Sequence, residues 1–354
     1  MAVTIKDIGR EAGVSIASVS KVLNGNYANV SEETRDNILA VAKRLNYRPN
    51  RLARGLVSNR THMVGLIVPD IASPYFAQLA KEIERSAYAA GYKLLLCNTD
   101  NDTVKVGGYI DMLLEYNTDG VIVAETALGD AIDRLLGSGC KVATINSGVL
   151  GPEVYGVYVD NVEGTYLATR HLIERGHTHI AFIGSDNEPG KANQRLDGYM
   201  KAMGEHGLQI DYGRIKLGNY QLETGQFYAQ QLLERNQRFT AIVCGNDVIA
   251  FGALNALKDN GVRVPDDVSL VGFDDVYLTT LADPKLTSVR QPVPEISRLA
   301  VDALVKLMSG QPVGEKRVTV VPTLVERHSV AAPREQPDQG NENKAAKTKG
   351  ETKR

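Results

Sequence analysis

The chain has 354 residues, 43% hydrophobic and 23% charged, with a formal net charge of −2. That composition can bury substantial cores, and the length suits two or three domains of about 100–200 residues each. No apolar run approaches the ~18–20 residues of a membrane span, no secretory leader opens the chain, and the three cysteines (Cys97, Cys140, Cys244) lack metal or CxxC spacing, which argues against a disulfide framework or zinc site and for a reducing, cytoplasmic setting.

The charge is uneven. Residues 1–60 hold ten Lys/Arg and five Asp/Glu, a net of +5, whereas residues 61–354 hold 30 and 37, a net of −7. A basic head on an acidic body points to a polyanionic partner for the head. The head reads as three short helices. The first, from about Ile5 to Ala12, is capped by Thr4 with Asp7 three residues on, and Gly13 ends it. The second starts after Ser15, buries Val19, Val22 and Leu23, and stops at Asn24-Gly25. The third follows Ser31, with Glu32 and Glu33 in its first turn and an apolar stripe of Ile38, Val41, Ala42 and Leu45.

A linker, Asn46-Tyr-Arg-Pro49, leads to a short polar segment over Asn50–Val57. Pro49 can open a helix there, but two polar turns are too short to persist alone in water. From Met63 strands alternate with helices. The first series is strand Met63–Val68, helix Phe76–Ala90, strand Lys93–Cys97, helix Val104–Tyr116, strand Gly120–Val123, helix Asp130–Leu136 and strand Lys141–Ile145. The second is strand Gly156–Val159, helix Val162–Arg175, strand Ile180–Ile183, helices Ala192–His206 and Glu223–Glu234, strand Ala241–Cys244, helix Val248–Asp259 and strand Ser269–Val271. This alternation predicts two parallel, doubly wound lobes. Helix Glu295–Met308 and strand Arg317–Val321 come last and can return to complete the first lobe. Residues 331–354 contain no Val, Ile, Leu, Met or aromatic residue, so they are predicted to be a disordered tail.

The strongest local motif lies in Ile5–Asn24, where an Ala12-Gly-Val-Ser turn joins two short amphipathic helices. A helix-turn-helix needs that tight turn to project its second helix into the major groove. The outward residues of that helix, Ile16, Ala17, Ser18, Ser20 and Lys21, are small, polar or basic. Small residues permit close approach, and Lys21 can reach a guanine edge or a phosphate.

These residues, with Val19-Ser-Lys-Val-Leu-Asn-Gly25, Asn46-Tyr-Arg-Pro-Asn-Arg-Leu-Ala-Arg-Gly-Leu56, Val159-Asp-Asn161, His171-Leu-Ile-Glu-Arg-Gly-His177, Gly245-Asn-Asp247 and Val264-Pro-Asp-Asp-Val-Ser-Leu-Val-Gly-Phe-Asp-Asp275, resemble the lactose/galactose repressor family. The match runs in register from residue 4 to about 330. It implies a homodimeric, ligand-controlled transcription factor, a repressor in its usual mode. The implied fold is an all-α helix-turn-helix head with a hinge helix (1–60) and an α/β, two-lobed, periplasmic-binding-protein-like core (61–330). In the family the hinge helix orders when two copies pair on a pseudo-palindromic operator, and the residue matching Leu56 wedges into the minor groove. The expected DNA-contacting set is Thr4, Ser15, Ile16, Ala17, Ser18, Ser20, Lys21, Asn24, Tyr47, Asn50, Ala53, Arg54 and Leu56.

Between the lobes the expected ligand is a sugar, sugar acid or phosphosugar. Candidate contacts are Tyr75, Phe76, Asn146, Asp160, Lys191, Arg195, Tyr220, Asn246 and Asp274, drawn from strand ends and matching family positions. Asp and Asn can bond hydroxyls, and Lys191 with Arg195 could hold an anion. For Asp160 and Asp274 the plain alternative is a strand-end cap; for Tyr75 and Phe76 it is packing. Enzyme signatures fail: Gly184–Lys191 has the wrong spacing for a P-loop, no GxSxG or GxGxxG occurs in context, and His177 and His179 lack partners for a metal. The expectations are therefore a nucleoid-associated regulator rather than an enzyme, with no cofactor and no membrane contact. A sugar-binding protein or an architectural DNA binder shares only part of these features.

Overall fold

The computed structural model describes residues 3–47, 60–124, 128–147, 154–186, 193–235 and 238–334. The chain divides into two compact units, Met1–Thr61 and His62–Arg354.

In the first unit α1 (Ile5–Ala12), α2 (Ile16–Leu23) and α3 (Glu32–Arg44) enclose a small core of Ile8, Val19, Val22, Ile38, Val41 and Ala42. Each helix starts where its sequence says. The Thr4 N–H donates to Asp7 Oδ2 at 3.0 Å while the Asp7 N–H donates to Thr4 Oγ1, closing the capping box. Ser15 accepts from the Ser18 N–H and Ser31 from the Thr34 N–H. The turn between α1 and α2 is tight because Gly13 adopts φ +66° and Gly9 lets the Val14 backbone approach, the Val14 N–H donating to the Gly9 carbonyl at 3.0 Å. From α3, Asn37 donates to the Ala12 carbonyl at 3.1 Å, so the end of α1 is satisfied by a neighbouring helix.

The second unit contains two six-stranded sheets. The first has the order β11-β5-β4-β3-β1-β2, with β1 Met63–Val68, β2 Lys93–Asn98, β3 Gly120–Val123, β4 Lys141–Ile145, β5 Val154–Val159 and β11 Arg317–Val320, all parallel. Helices α4 (Pro74–Ala89) and α11 (Val293–Met308) cover one face through Leu66, Leu79, Ile83, Ile122, Ile296 and Leu304. Helices α5 (Thr103–Glu115) and α6 (Ala131–Gly137) cover the other through Ile67, Ile110, Leu113, Val121 and Leu135. Adjacent strand residues such as Leu66 and Ile67 therefore serve opposite cores. Both late elements complete this lobe, as the sequence allowed.

The second sheet has the order β12-β10-β9-β8-β6-β7, with β6 Ile180–Ser185, β7 Ile215–Gly218, β8 Ala241–Cys244, β9 Ser269–Asp274, β10 Thr287–Arg290 and β12 Thr323–Val325. Only β12 runs antiparallel, on β10. Helices α9 (Leu222–Glu234) and α10 (Asp247–Asp259) pack on one face; α7 (Asn161–Glu174) and α8 (Gln194–Glu205) pack on the other. The chain crosses between lobes three times: after β5, after β10 and after β11. The Asp160 N–H donates to the Val320 carbonyl at 3.0 Å and ties two of these crossings together.

The reading of residues 331–354 as a disordered tail needs one correction. Ala331 to Arg334 are held on the second lobe. The Ala331 carbonyl accepts from Ser269 Oγ at 3.1 Å and bonds the His177 ring at 2.8 Å, and Arg334 pairs with Asp266 and Asp267. Polar and backbone bonds, not apolar burial, do the ordering. Residues 335–354 lie outside the described residues, as does the Asn50–Val57 segment.

Helices α9 and α10 cross at two glycines. A Cβ on Gly225 would overlap the Ile249 carbonyl oxygen, and one on Gly252 would overlap the Leu222 carbonyl oxygen. Gly225→Ala and Gly252→Ala should each destabilise the core by about 1–3 kcal/mol in denaturant unfolding, because neither backbone can yield cheaply. Gly261→Ala keeps open space around it and measures the separate cost of a positive φ, +73°.

Candidate DNA-reading helix and interlobe cleft

In the head, α2 presents Ile16, Ala17 and Lys21 to solvent, and Ile16 is 43% exposed despite being apolar. Arg10, Arg35 and Arg44 are paired with Asp7, Glu32/Asp36 and Glu11, whereas Lys21, like Lys6 and Lys43, makes no ion pair among the described residues. Its charge is available to a partner. Ser18 and Ser20 are half-buried; Ser18 bonds Ser15 at 3.0 Å, and Ser20 accepts from Asn24, which caps the end of α2. Thr4 is exposed but its hydroxyl is engaged by Asp7. Tyr47 packs half-buried against the head core. Asn50, Ala53, Arg54 and Leu56 lie outside the described residues.

In the second unit, strand ends of both lobes converge. At the end of β9 the Asp274 carboxylate is 7% exposed. It forms an ion pair with Arg195 at 3.5 Å and accepts from Gln291 Nε2 at 2.6 Å. Arg195, near the start of α8, also donates to Asn161 Oδ1 at 3.1 Å and to the Gly245 carbonyl, and its guanidinium stacks 3.9 Å over the Phe273 ring and 5.4 Å from the Tyr220 ring. Burial pushes the Asp274 carboxyl up to about 6, against the opposing pull of Arg195 and Gln291. Its neighbour Asp247, fully buried, is pushed up for the same reason.

Tyr75, at the start of α4 in the first lobe, faces this cluster. Burial holds its phenol well above the ordinary value, and both Asp274 and Arg195 act on it across the cleft. Phe76 lies edge-on to Tyr75 at 5.1 Å and packs half-buried on the first lobe. The buried Gln291 Oε1 closes no hydrogen bond among the described residues, and the buried Tyr75 hydroxyl lies against the Asn146 side chain.

Not every expected residue is free for a ligand. Asp160 is the N-cap of α7, its carboxylate accepting from the Glu163 N–H at 2.9 Å. Asn246 likewise caps α10 through the Ile249 N–H at 2.8 Å, with its amide directed to the Tyr220 carbonyl. Asn146, at φ +51°, accepts from the Val159 N–H at 2.8 Å and braces β5. Lys191 lies outside the described residues. Sequence reasoning did not single out Asn161 or Gln291. Asn161 stood inside a quoted motif; Gln291 stands between a strand and a proline-opened helix, at a lobe crossing where a buried polar side chain is a usable signal.

The comparisons agree with this geometry. Residues 4–50 match the bacterial regulatory proteins, lacI family, and residues 169–330 match a periplasmic binding protein-like domain. Over 331 residues the chain is 38% identical to the HTH-type transcriptional regulator RegA of Clostridium saccharobutylicum, covering 93% of this chain and 99% of that protein. The chain belongs to the LacI family of transcriptional regulators. It is also 36% identical over 331 residues to the regulator GalR of Escherichia coli K12, covering 93% and 96% of the two chains. Among solved structures, a lac repressor dimer bound to operator and an anti-inducer shares 26% identity with a TM-score of 0.84 over 94% of this chain and all (100%) of that one. The regulator CelR in complex with cellobiose shares 29% identity with a TM-score of 0.69 over 92% and 99%. As a LacI-family member the chain is a DNA-binding transcriptional regulator and not an enzyme. No helix among the described residues is long and apolar enough to cross a membrane.

The raised Asp274 carboxyl has a pH consequence. Its folded value of about 6 lies above its ordinary 3.8, so the folded state holds a proton that the unfolded chain releases between those values. Its contribution is present below pH 4 and lost as pH rises through 6. Asp274→Asn should therefore flatten the decline in core stability over that window, measured by urea unfolding at stepped pH; equal slopes in both proteins contradict the assignment.

Proposed function

We propose that the chain acts as a homodimer on a pseudo-palindromic operator, as a repressor of nearby genes in the bacterial nucleoid, under the control of a small polyhydroxylated molecule bound between the core lobes. The observation that carries this reading is the cleft: a buried Arg195–Asp274 pair bonded by Gln291 from a lobe crossing and faced by the buried Tyr75 of the first lobe. A carboxylate and a guanidinium side by side bond adjacent ring hydroxyls, the acid accepting and the cation donating, while Tyr220 and Phe76 offer aromatic faces to the apolar side of a sugar. The proposed contacts are Tyr75, Phe76, Arg195, Tyr220, Asp274 and Gln291.

An acidic effector would need a cation to spare. Arg195 is already engaged by Asp274, Asn161 and the Gly245 carbonyl, which favours hydroxyls over an anion. Solved relatives point both ways. One LacI-family regulator from Enterococcus faecium holds ribose, and a sugar-binding regulator from Escherichia coli holds phosphate. For dimer formation, β2 is an edge strand and leaves Leu96 46% exposed, a sheet edge fit for a second copy. Effector control follows if the ligand prefers one interlobe angle and operator DNA prefers another, since only differential affinity shifts an equilibrium.

Selection of genomic fragments by the purified protein at near-physiological salt should return a palindromic site with a fixed centre; purely sequence-independent binding contradicts the reading. On that site Lys21→Ala should weaken binding about 10- to 100-fold, the worth of one base or phosphate contact. Arg195→Ala should leave operator affinity within about threefold while abolishing its response to a panel of D-ribose, D-galactose, cellobiose and their phosphates, as expected of a group that contacts ligand and not DNA.

A further inference from the structure

The backbone that carries Asp274 is strained. Asp274 has φ +110° and Asp275 has φ +53°. The second value lies in the left-handed well that aspartate tolerates, whereas the first lies outside it, where side-chain-bearing residues seldom go. Such a conformation persists only when its surroundings over-determine it.

The surroundings here are explicit. The Asp275 N–H donates to Ser288 Oγ at 3.1 Å, the Ser288 hydroxyl donates to Asp247 Oδ1 at 2.6 Å, and the Val276 N–H donates to Asp247 Oδ2 at 2.8 Å. Ser288 thus uses its donor toward α10 and an acceptor toward the turn, which an aliphatic side chain cannot do. The Asp275 carboxylate is clamped by Arg327 at 2.6 Å and Arg290 at 2.7 Å, and accepts from Thr279 at 3.2 Å. Asp247 and Ser288 have no solvent exposure. Gly272 makes the room they need, since a Cβ there would overlap Asp247 Oδ1.

We propose that Asp247, Ser288 and Asp275 are positioning residues for effector recognition: they lock two successive positive-φ residues so that the Asp274 carboxylate stands against Arg195 and Gln291 before any ligand arrives. This rests on the cleft being the effector site. Fixing a receptor group in its bound geometry removes an ordering cost from binding, and strain held by neighbouring elements is one way to do it.

The test is a thermal-unfolding cycle in the full-length protein. Asp274→Gly and Asp274→Ala both remove the carboxylate, but only glycine accepts φ +110° freely. The glycine variant should melt about 2–5 °C above the alanine variant, although glycine ordinarily lowers stability by freeing the unfolded chain. In a Ser288→Ala background the turn can relax, and the gap should shrink to about 1 °C or reverse. A residue that merely added stability would lower both melting temperatures together and leave the gap intact. An unchanged gap, or no gap in the parent background, overturns the proposal. If Ser288→Ala does not fold, Asp275→Asn, which removes the clamped charge, supplies the second background with the same expectation. No ligand enters this cycle, so its failure leaves the cleft assignment standing, while an effector titration that fails leaves the strain result standing.

Discussion

A carboxylate withdrawn from water at the end of β9 constrains much of the core around it. An isolated buried charge is not tolerated; it must be paired, hydrogen-bonded or neutralised. Asp274 meets that demand with Arg195 from the start of α8 and Gln291 from a lobe crossing, and its carboxyl is still pushed up to about 6. Those partners come from separate segments of the second lobe and its connection to the first, and Tyr75 of the first lobe closes on the same cluster. Removing either member of the ion pair leaves the other charge buried and unmatched, so the site is sensitive to any molecule that supplies or displaces those bonds.

Most of the architecture was legible because local signals agreed with one another. Thr4 with Asp7, Ser15 and Ser31 stand where the helices of the head begin, and Gly13 where the turn needs a positive φ. Buried parallel strands such as Met63–Val68 and Ile180–Ser185 read as apolar runs bounded by turn residues. What escaped has a physical reason. Strand β10 was missed because two of its three buried residues, Thr287 and Ser288, are polar; their hydroxyls are committed to Arg327, Asp247 and the Asp275 backbone, so Val289 alone is too short an apolar signature. Strands β7 and β12 are short edges.

The site was legible in part. Arg195, Tyr220, Tyr75 and Asp274 lie together, and Asp160 and Asn246 cap helices. Residue type alone does not separate these fates, because an aspartate or asparagine after a strand can cap the next helix as readily as it can meet a ligand. The supporting network behind Asp274 was invisible for a related reason. Asp247 and Asp275 look like surface acids in sequence, and only the fold brings Ser288, Arg290 and Arg327 to them. Ordering of Ala331–Arg334 also depends on long-range polar contacts, with His177, Ser269, Asp266 and Asp267, that composition cannot report.

The central claim is that a small molecule acts on DNA binding through Asp274 and Arg195. Its most direct test is the affinity of the full-length protein for its selected operator, titrated with the sugar and sugar-phosphate panel, for the parent chain and Asp274→Asn side by side. The account predicts that a panel member shifts operator affinity at least about tenfold in the parent, the scale of a typical coupling energy, and leaves the variant unmoved. An equal shift in both proteins would contradict it, because the effector would then act without the carboxylate on which the cleft is built.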